Sequence, residues 1–192
     1  MDLMLSGSSV VPGGEYGKIS LSGATVISGD VVCDSLTASG VLKCEAVECR
    51  GAVTLSGSLS CSAIQCDSVS IRGKAEIEKG ITSENFVMQG AIICHGILYS
   101  ERVSIVVDGK NEISAIKGGS VSMTKKSLAL FSRNACVTSA VEGDDVSLSY
   151  VTCPRVFGAR VVIGKGCEID LVQYSEAAEI SPDAKVRKIE KI

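Results

Sequence analysis

The sequence predicts an all-β fold, a parallel β-helix built of triangular coils of about 17 residues, and three observations predict it. Glycine recurs at positions 23, 40, 57, 73 and 90, at separations of 17, 17, 16 and 17. Between these glycines lie three-residue units, mostly apolar, polar, apolar, each beginning five or six residues after the last. The connections between units fall into three classes of distinct chemistry that alternate in a fixed order.

Taken in order, the units begin Ile19-Ser20-Leu21, Thr25-Val26-Ile27 and Val31-Val32-Cys33. They continue through Leu36-Thr37-Ala38, Leu42-Lys43-Cys44, Val47-Glu48-Cys49, Val53-Thr54-Leu55 and Leu59-Ser60-Cys61. Eight more follow, from Ile64-Gln65-Cys66 to Val103-Ser104-Ile105, including Ile97-Leu98-Tyr99. A period-two triplet is a short strand whose outer members face one side and whose middle member faces the other. Eleven of the sixteen middle residues are polar, so the middles are expected to face water and the outer members the core. Three such strands make one coil, and stacking the coils hydrogen-bonds each strand to its equivalents above and below.

Of the corners, one carries the recurring glycines, as a turn with positive φ or a close backbone approach demands. The next carries Gly29, Ala46, Ala63, Gly80 and Gly96, and the third is polar, as in Asp34-Ser35, Asp67-Ser68 and Glu84-Asn85. Past Ile105 the repeat is lost through residues 107–145, read as an irregular coil or protruding loop. It resumes at Val146, Val151, Val156, Val161, Cys167 and Val172. The organisation expected is a flexible N-terminal tail over 1–15, a β-helix over 16–174 of about nine coils, and a charged C-terminal tail over 175–192.

Composition narrows the function classes. Aromatic residues make up 4% of the chain and Trp is absent, which suits thin stacked layers better than a core built around large rings. A net charge of −3 and the lack of a Lys/Arg run argue against nucleic acid as a partner. The N-terminus is too short and polar for a secretory or spanning segment. Nine cysteines at uneven spacings do not read as a disulfide framework, so a cytoplasmic protein with reduced thiols is the expectation.

The register places Cys33, Cys49 and Cys66 in one inward row and Cys44, Cys61 and Cys94 in another, with Ile27 and Ile77. Ile, Leu and Met fill the equivalent slots elsewhere, so cysteine acts there as a small hydrophobe. Zinc held by Cys44, Cys49, Cys61 and Cys66 needs four converging sulfurs, whereas stacked strands set sulfurs in rows. A disulfide between vertical neighbours such as Cys44 and Cys61 is sterically allowed.

Catalysis has little to work with. His95 is the only histidine and falls in a corner with no carboxylate placed beside it by the register. A calcium ladder of Asp34, Asp67 and Glu84 requires acids in adjacent coils, and these read as separated by coils lacking one. "GGSVSMTKK" at 118–126 lacks the spacing of a phosphate loop, so no nucleotide, metal or other cofactor is expected. What remains is the shape, since the end coils of a β-helix present unpaired backbone groups over an apolar core and invite pairing with another chain. Ile19, Leu21 and Ile27 in the first coils, and Ile163, Ile169, Val172 and Tyr174 in the last, are the candidate polymerisation interface.

"GKISLSGATVISGDVVCDSLTASG", "VSIRGKAEIEKGITSENFVMQG" and the closing "VVIGKGCEIDLVQY" resemble the bactofilins, the polymer-forming cytoskeletal proteins of bacteria, and in particular their longer Bacillus and clostridial members. The resemblance runs from about residue 6 to the C-terminus. It implies a right-handed β-helix that polymerises end to end, without nucleotide, into nonpolar filaments serving cell shape, cell-wall enzyme placement or motility. It implies self-association, with a paralogous bactofilin as a further partner, and attachment to the inner face of the membrane through an N-terminal segment, here Leu3, Met4 and Leu5. The competing expectations are two. One is an accessory factor for a partner filament, docking through Lys110, Lys117, Lys125 and Lys126. The other is a β-helix enzyme, an acyltransferase or polysaccharide lyase, which a 17-residue coil with one histidine disfavours.

Overall fold

The computed structural model describes residues 1–109, 111–125 and 136–192. The chain forms a parallel β-solenoid of about 10 turns at a spacing of about 17 residues, with no helix among the described residues. At about 4.8 Å per layer the stack is about 48 Å tall. Its strands run in order as β1 (Leu3–Glu15), β2 (Lys18–Cys33), β3 (Ser35–Lys43), β4 (Ala46–Val107), β5 (Asn111–Lys125), β6 (Cys136–Leu148), β7 (Val151–Ile163), β8 (Glu168–Ile180) and β9 (Lys185–Lys191). Every pairing is parallel, and each strand pairs with the next one along the chain.

Three faces follow from the register. On the first, Leu3, Ile19, Leu36 and Val53 stack in one inward row and Leu5, Leu21, Ala38 and Leu55 in the next. The second carries Thr25 over Leu42, and the third Val31 over Val47 and Cys33 over Cys49. From Ile19 to Val172 these rows are almost wholly buried and form one continuous apolar column. The alternation read from the sequence thus becomes core in and polar out, as period-two strands closing on themselves require.

The corner glycines pack backbone against backbone. A Cβ on Gly57 would lie 2.0 Å from the Gly40 carbonyl oxygen, and one on Gly73 or Gly90 equally close to the glycine below. The first and second faces therefore meet at a corner where nothing larger fits.

Four sequence expectations are corrected here. Residues 1–15 are not a tail: β1 pairs with β2 from Leu3 to Glu15 and forms a coil of its own. Residues 175–192 are not a tail either, because β8 continues to Ile180 and β9 pairs along Glu168 to Tyr174. In both segments small residues interrupt the inward series, Ser9 and Gly14 in the first and Ala178 and Ala184 in the second, so composition hides a periodicity that the ladder preserves. Within 107–145, β5 and β6 stay in register with each other and β6 with β7, while β5 pairs with β4 with one shift of register between Cys94 and Ile97. Every β5–β6 pair, Asn111 with Cys136 and Val121 with Val146 among them, is 25 residues apart, against 15 to 19 for the stacked pairs between the other strands, and residues 126–135 of that longer stretch lie outside the described residues.

The fourth correction concerns Ile97-Leu98-Tyr99. Leu98 is buried, whereas Ile97 is 48% and Tyr99 58% exposed, so the true unit is Leu98-Tyr99-Ser100. The corner between the second and third faces has two lengths. Two-residue versions contain Ala46, Ala63 or Ala115, while three-residue versions contain Gly29, Gly80 or Gly96. Gly29 and Gly80 take φ of +116° and +139°. At Gly96 a Cβ would meet the Lys79 carbonyl oxygen. The longer corner His95-Gly96-Ile97 turns Ile97 outward and brings Leu98 in. Ser100 then occupies the inner row, where Ser83 Oγ donates to Ser100 Oγ at 3.1 Å and Ser100 Oγ donates to the Arg102 carbonyl at 3.2 Å. The pair satisfies itself in the core, as buried hydroxyls must.

Candidate functional site

The end coils are not where the sequence placed them. Ile19, Leu21, Ile27, Ile163, Ile169 and Val172 are each no more than 4% exposed, because β1 lies over the first three and β8 and β9 over the rest. Tyr174 is half-buried between Gly158 and Lys191. The terminal surfaces are formed by other residues. At one end Leu3, Leu5 and Val11 of β1 pack on the core and remain partly exposed. At the other, Ile180 and Val186 do the same, and Ile189 is 49% exposed. Both β1 and β9 have a ladder partner on one side only.

Of the residues assigned to membrane contact, Leu3 and Leu5 face the core of the first coil, and Met4 between them points outward at 76% exposure. A strand with two of three apolar side chains turned inward offers one side chain, not three, to a membrane surface. Within the described residues no helix is long and apolar enough to cross a membrane.

The thiol rows lie as the register requires. All nine cysteines are free, and all but Cys44 are buried. No group of three or more His, Cys, Asp or Glu side chains among the described residues could hold a metal ion. Burial pushes the thiols of Cys33, Cys66 and Cys136 up to about 12 and that of Cys153 to about 11. Cys44 moves the other way. A hydrogen bond from Cys61 in the next coil holds its thiol below the usual range, while Cys61 itself is raised by the same bond and by burial. Thiolate character and access together decide thiol reactivity. An aromatic disulfide reagent at pH 8 is therefore expected to consume one thiol rapidly and the other eight only on unfolding. Cys44→Ser should abolish the fast phase, and a fast phase surviving in that variant would reassign it.

His95 is exposed at its corner, where its carbonyl accepts a hydrogen bond from Ser114 Oγ at 2.6 Å. The stretch 118–125 belongs to β5 and forms no phosphate loop. Lys117 is ion-paired with Glu142 at 2.9 Å, Lys125 lies over the Tyr150 ring at 5.1 Å, and Lys110 and Lys126 lie outside the described residues. Of the lysines named for docking, the two described ones are thus each engaged by a neighbouring side chain.

The third face carries what the sequence did not reveal. Cys33 stacks on Cys49, Cys66 adjoins Cys49, and Ser83 bonds Ser100. The residues that follow them, Asp34, Arg50, Asp67, Glu84 and Glu101, consequently stack at one corner. Arg50 pairs with Asp34 at 2.9 Å, which leaves Asp67, Glu84 and Glu101 in consecutive coils. Asp34 is thus separated from Asp67 by the coil of Arg50, as the sequence reading has it, whereas Asp67 and Glu84 are adjacent and Glu101 extends their series. Beside this corner run two shallow grooves of about 380 and 420 Å³ that share Tyr99. The second extends past Lys117 and Glu142 to Phe157, over a floor of Gly118 and Gly143. Those glycines occupy inner positions at which a Cβ would strike the carbonyl oxygen of the coil below.

Among known proteins, the chain is 28% identical over 101 residues to YhbF, an uncharacterized protein of Bacillus subtilis (strain 168), a match covering 50% of this chain. It covers 42% of that relative, so the chain spans less than half the length of the curated protein it matches. No family model and no solved structure matches the chain, which rests its comparison on a partial likeness to a protein whose own description names no activity.

Proposed function

We propose that the protein is a structural scaffold of the bactofilin type, which associates end to end through its terminal coils into nucleotide-independent filaments. The observation that carries this reading is the pair of terminal surfaces. Leu3, Leu5 and Val11 at one end, and Ile180, Val186 and Ile189 at the other, leave apolar core positions partly exposed beside strands with a ladder partner on one side. Such edges are templates for further strand pairing, and a flat solenoid end meets its mate over both backbone and core. The likeness of the repeats to bactofilins supports the same reading, with a cytoplasmic location at or near the membrane and supporting roles in cell shape, cell-wall enzyme placement or motility.

Negative-stain electron microscopy of the purified, reduced chain, with no nucleotide or metal added, tests it. Unbranched filaments of uniform width are expected across salt concentrations. Dispersed particles of monomer size under every condition would overturn self-assembly and favour an accessory factor that caps a partner filament.

A further inference from the structure

The lateral grooves of the third face bring together two features that the solenoid itself does not need. The first is aromatic. In a chain of three Phe, four Tyr and no Trp, Phe86 is fully buried, and Tyr16, Tyr150 and Tyr174 pack against the core. Tyr99 and Phe157, at 58% and 43% exposure, are the two strongly exposed aromatic side chains among the described residues, and both stand in one outward row. That row runs Tyr99, Lys117, Glu142, Phe157 through successive coils, which sets the two rings three layers, or about 14 Å, apart.

The second feature is charge. Both cations lining the grooves are already neutralised, Arg50 by Asp34 and Lys117 by Glu142, each at 2.9 Å. The carboxylates of Glu48, Asp67, Glu84, Glu101 and Asp144 line the same grooves with no ion-pair partner among the described residues. Stacking acids in consecutive coils is destabilising, since like charges directly opposite repel.

Aromatic faces flanked by unpaired carboxylates attract guanidinium and ammonium groups, through the ring quadrupole on one side and the charge on the other. An extended peptide rises about 3.3 Å per residue, so cationic side chains four residues apart span about 13 Å, close to the separation of the rings. An anionic membrane surface is repelled by the same carboxylates. We infer that the third face docks an extended basic segment of a partner protein, whose Arg or Lys side chains stack on Tyr99 and Phe157 and pair with Glu84, Glu101 and Asp144. The docking face is lateral, so it stays accessible whether or not the terminal coils are joined, and the inference does not rest on end-to-end assembly.

The test uses the full chain and a fluorescein-labelled peptide carrying arginine at every fourth position with Gly-Ser-Gly between. Fluorescence anisotropy at about 0.15 M salt, where long-range attraction is largely screened, should show saturable binding. Tyr99→Ala with Phe157→Ala should weaken it by about tenfold, and Glu84→Gln with Glu101→Gln and Asp144→Asn by a similar factor. Glu76→Gln with Glu78→Gln and Glu179→Gln removes as many charges elsewhere and should leave binding unchanged. Circular dichroism checks that each variant is folded, and microscopy of the same variants reads assembly separately. Absence of saturable binding would overturn the inference, as would an equal loss in the control variant, which would mean general charge attraction. Displacement of the peptide by chitotetraose, with that sugar's binding dependent on the rings but not on the acids, would replace it with a glycan site.

Discussion

Gly57→Ala is expected to cost the solenoid about 3–5 kcal/mol, and the loss should spread to the coils on either side. Two effects add at this position. Gly57 has φ of +136°, a conformation that L-residues with a Cβ avoid, and the new methyl would lie 2.0 Å from the Gly40 carbonyl oxygen and 2.8 Å from its carbon. The obstacle is backbone that hydrogen-bonds its own neighbours, so no side chain can turn aside to make room. Gly29→Ala separates the two effects. Its φ is +116°, yet the nearest atom to an added Cβ is Gly13 Cα at 3.8 Å, so only the conformational strain of about 1–2 kcal/mol applies. Because coils interact with nearest neighbours, hydrogen exchange resolved along the chain is a better readout than one global midpoint. Protection should fall around Gly40, Gly57 and Gly73 in the first variant and hardly change in the second. Equal losses would mean that stacking at this corner is not limited by space.

The same corner shows why so much of the fold was legible. A position that tolerates only glycine repeats once per coil, and the apolar, polar, apolar triplets repeat three times per coil, so two independent periods point to one architecture. Legibility ended where inward positions stopped being large and apolar. Ser9, Gly14 and Ala184 occupy inner positions in the terminal coils, so both segments read as polar tails although β1 pairs along β2, with one shift between Pro12 and Gly14, and β9 along β8. The swap at Ile97 has another cause. Either Ile97 or Leu98 is a good core residue, and only the length of the preceding corner, set by Gly96, decides which turns inward. The lateral site was illegible for a third reason. Asp67, Glu84, Glu101, Tyr99 and Phe157 become neighbours only once the register between coils is fixed, and no local motif links them.

Placing the terminal coils one layer further out changes which substitutions test assembly. Ile169→Glu puts a carboxylate into a position 2% exposed beneath Val186, where an unpaired charge costs several kcal/mol, so this variant should lose its last coils and tell nothing about the interface. Val186→Glu changes the layer above. Its side chain is partly exposed, the fold is expected to survive, and the apolar surface it shared with Ile180 and Ile189 acquires a charge. Sedimentation velocity then reads the symmetry of the polymer. If like ends meet, the substitution blocks contacts between C-terminal coils and leaves those between N-terminal coils, so filaments collapse to dimers. If unlike ends meet, every contact contains one altered surface and only the 19.9 kDa monomer remains. The nonpolar arrangement implied by the bactofilin likeness predicts dimers. Adding Leu5→Lys sharpens the distinction, because like ends would then place lysine against lysine and glutamate against glutamate, whereas unlike ends would bring lysine to glutamate. Monomers in the double variant are the expected result, and recovery of filaments would establish a polar, head-to-tail polymer instead.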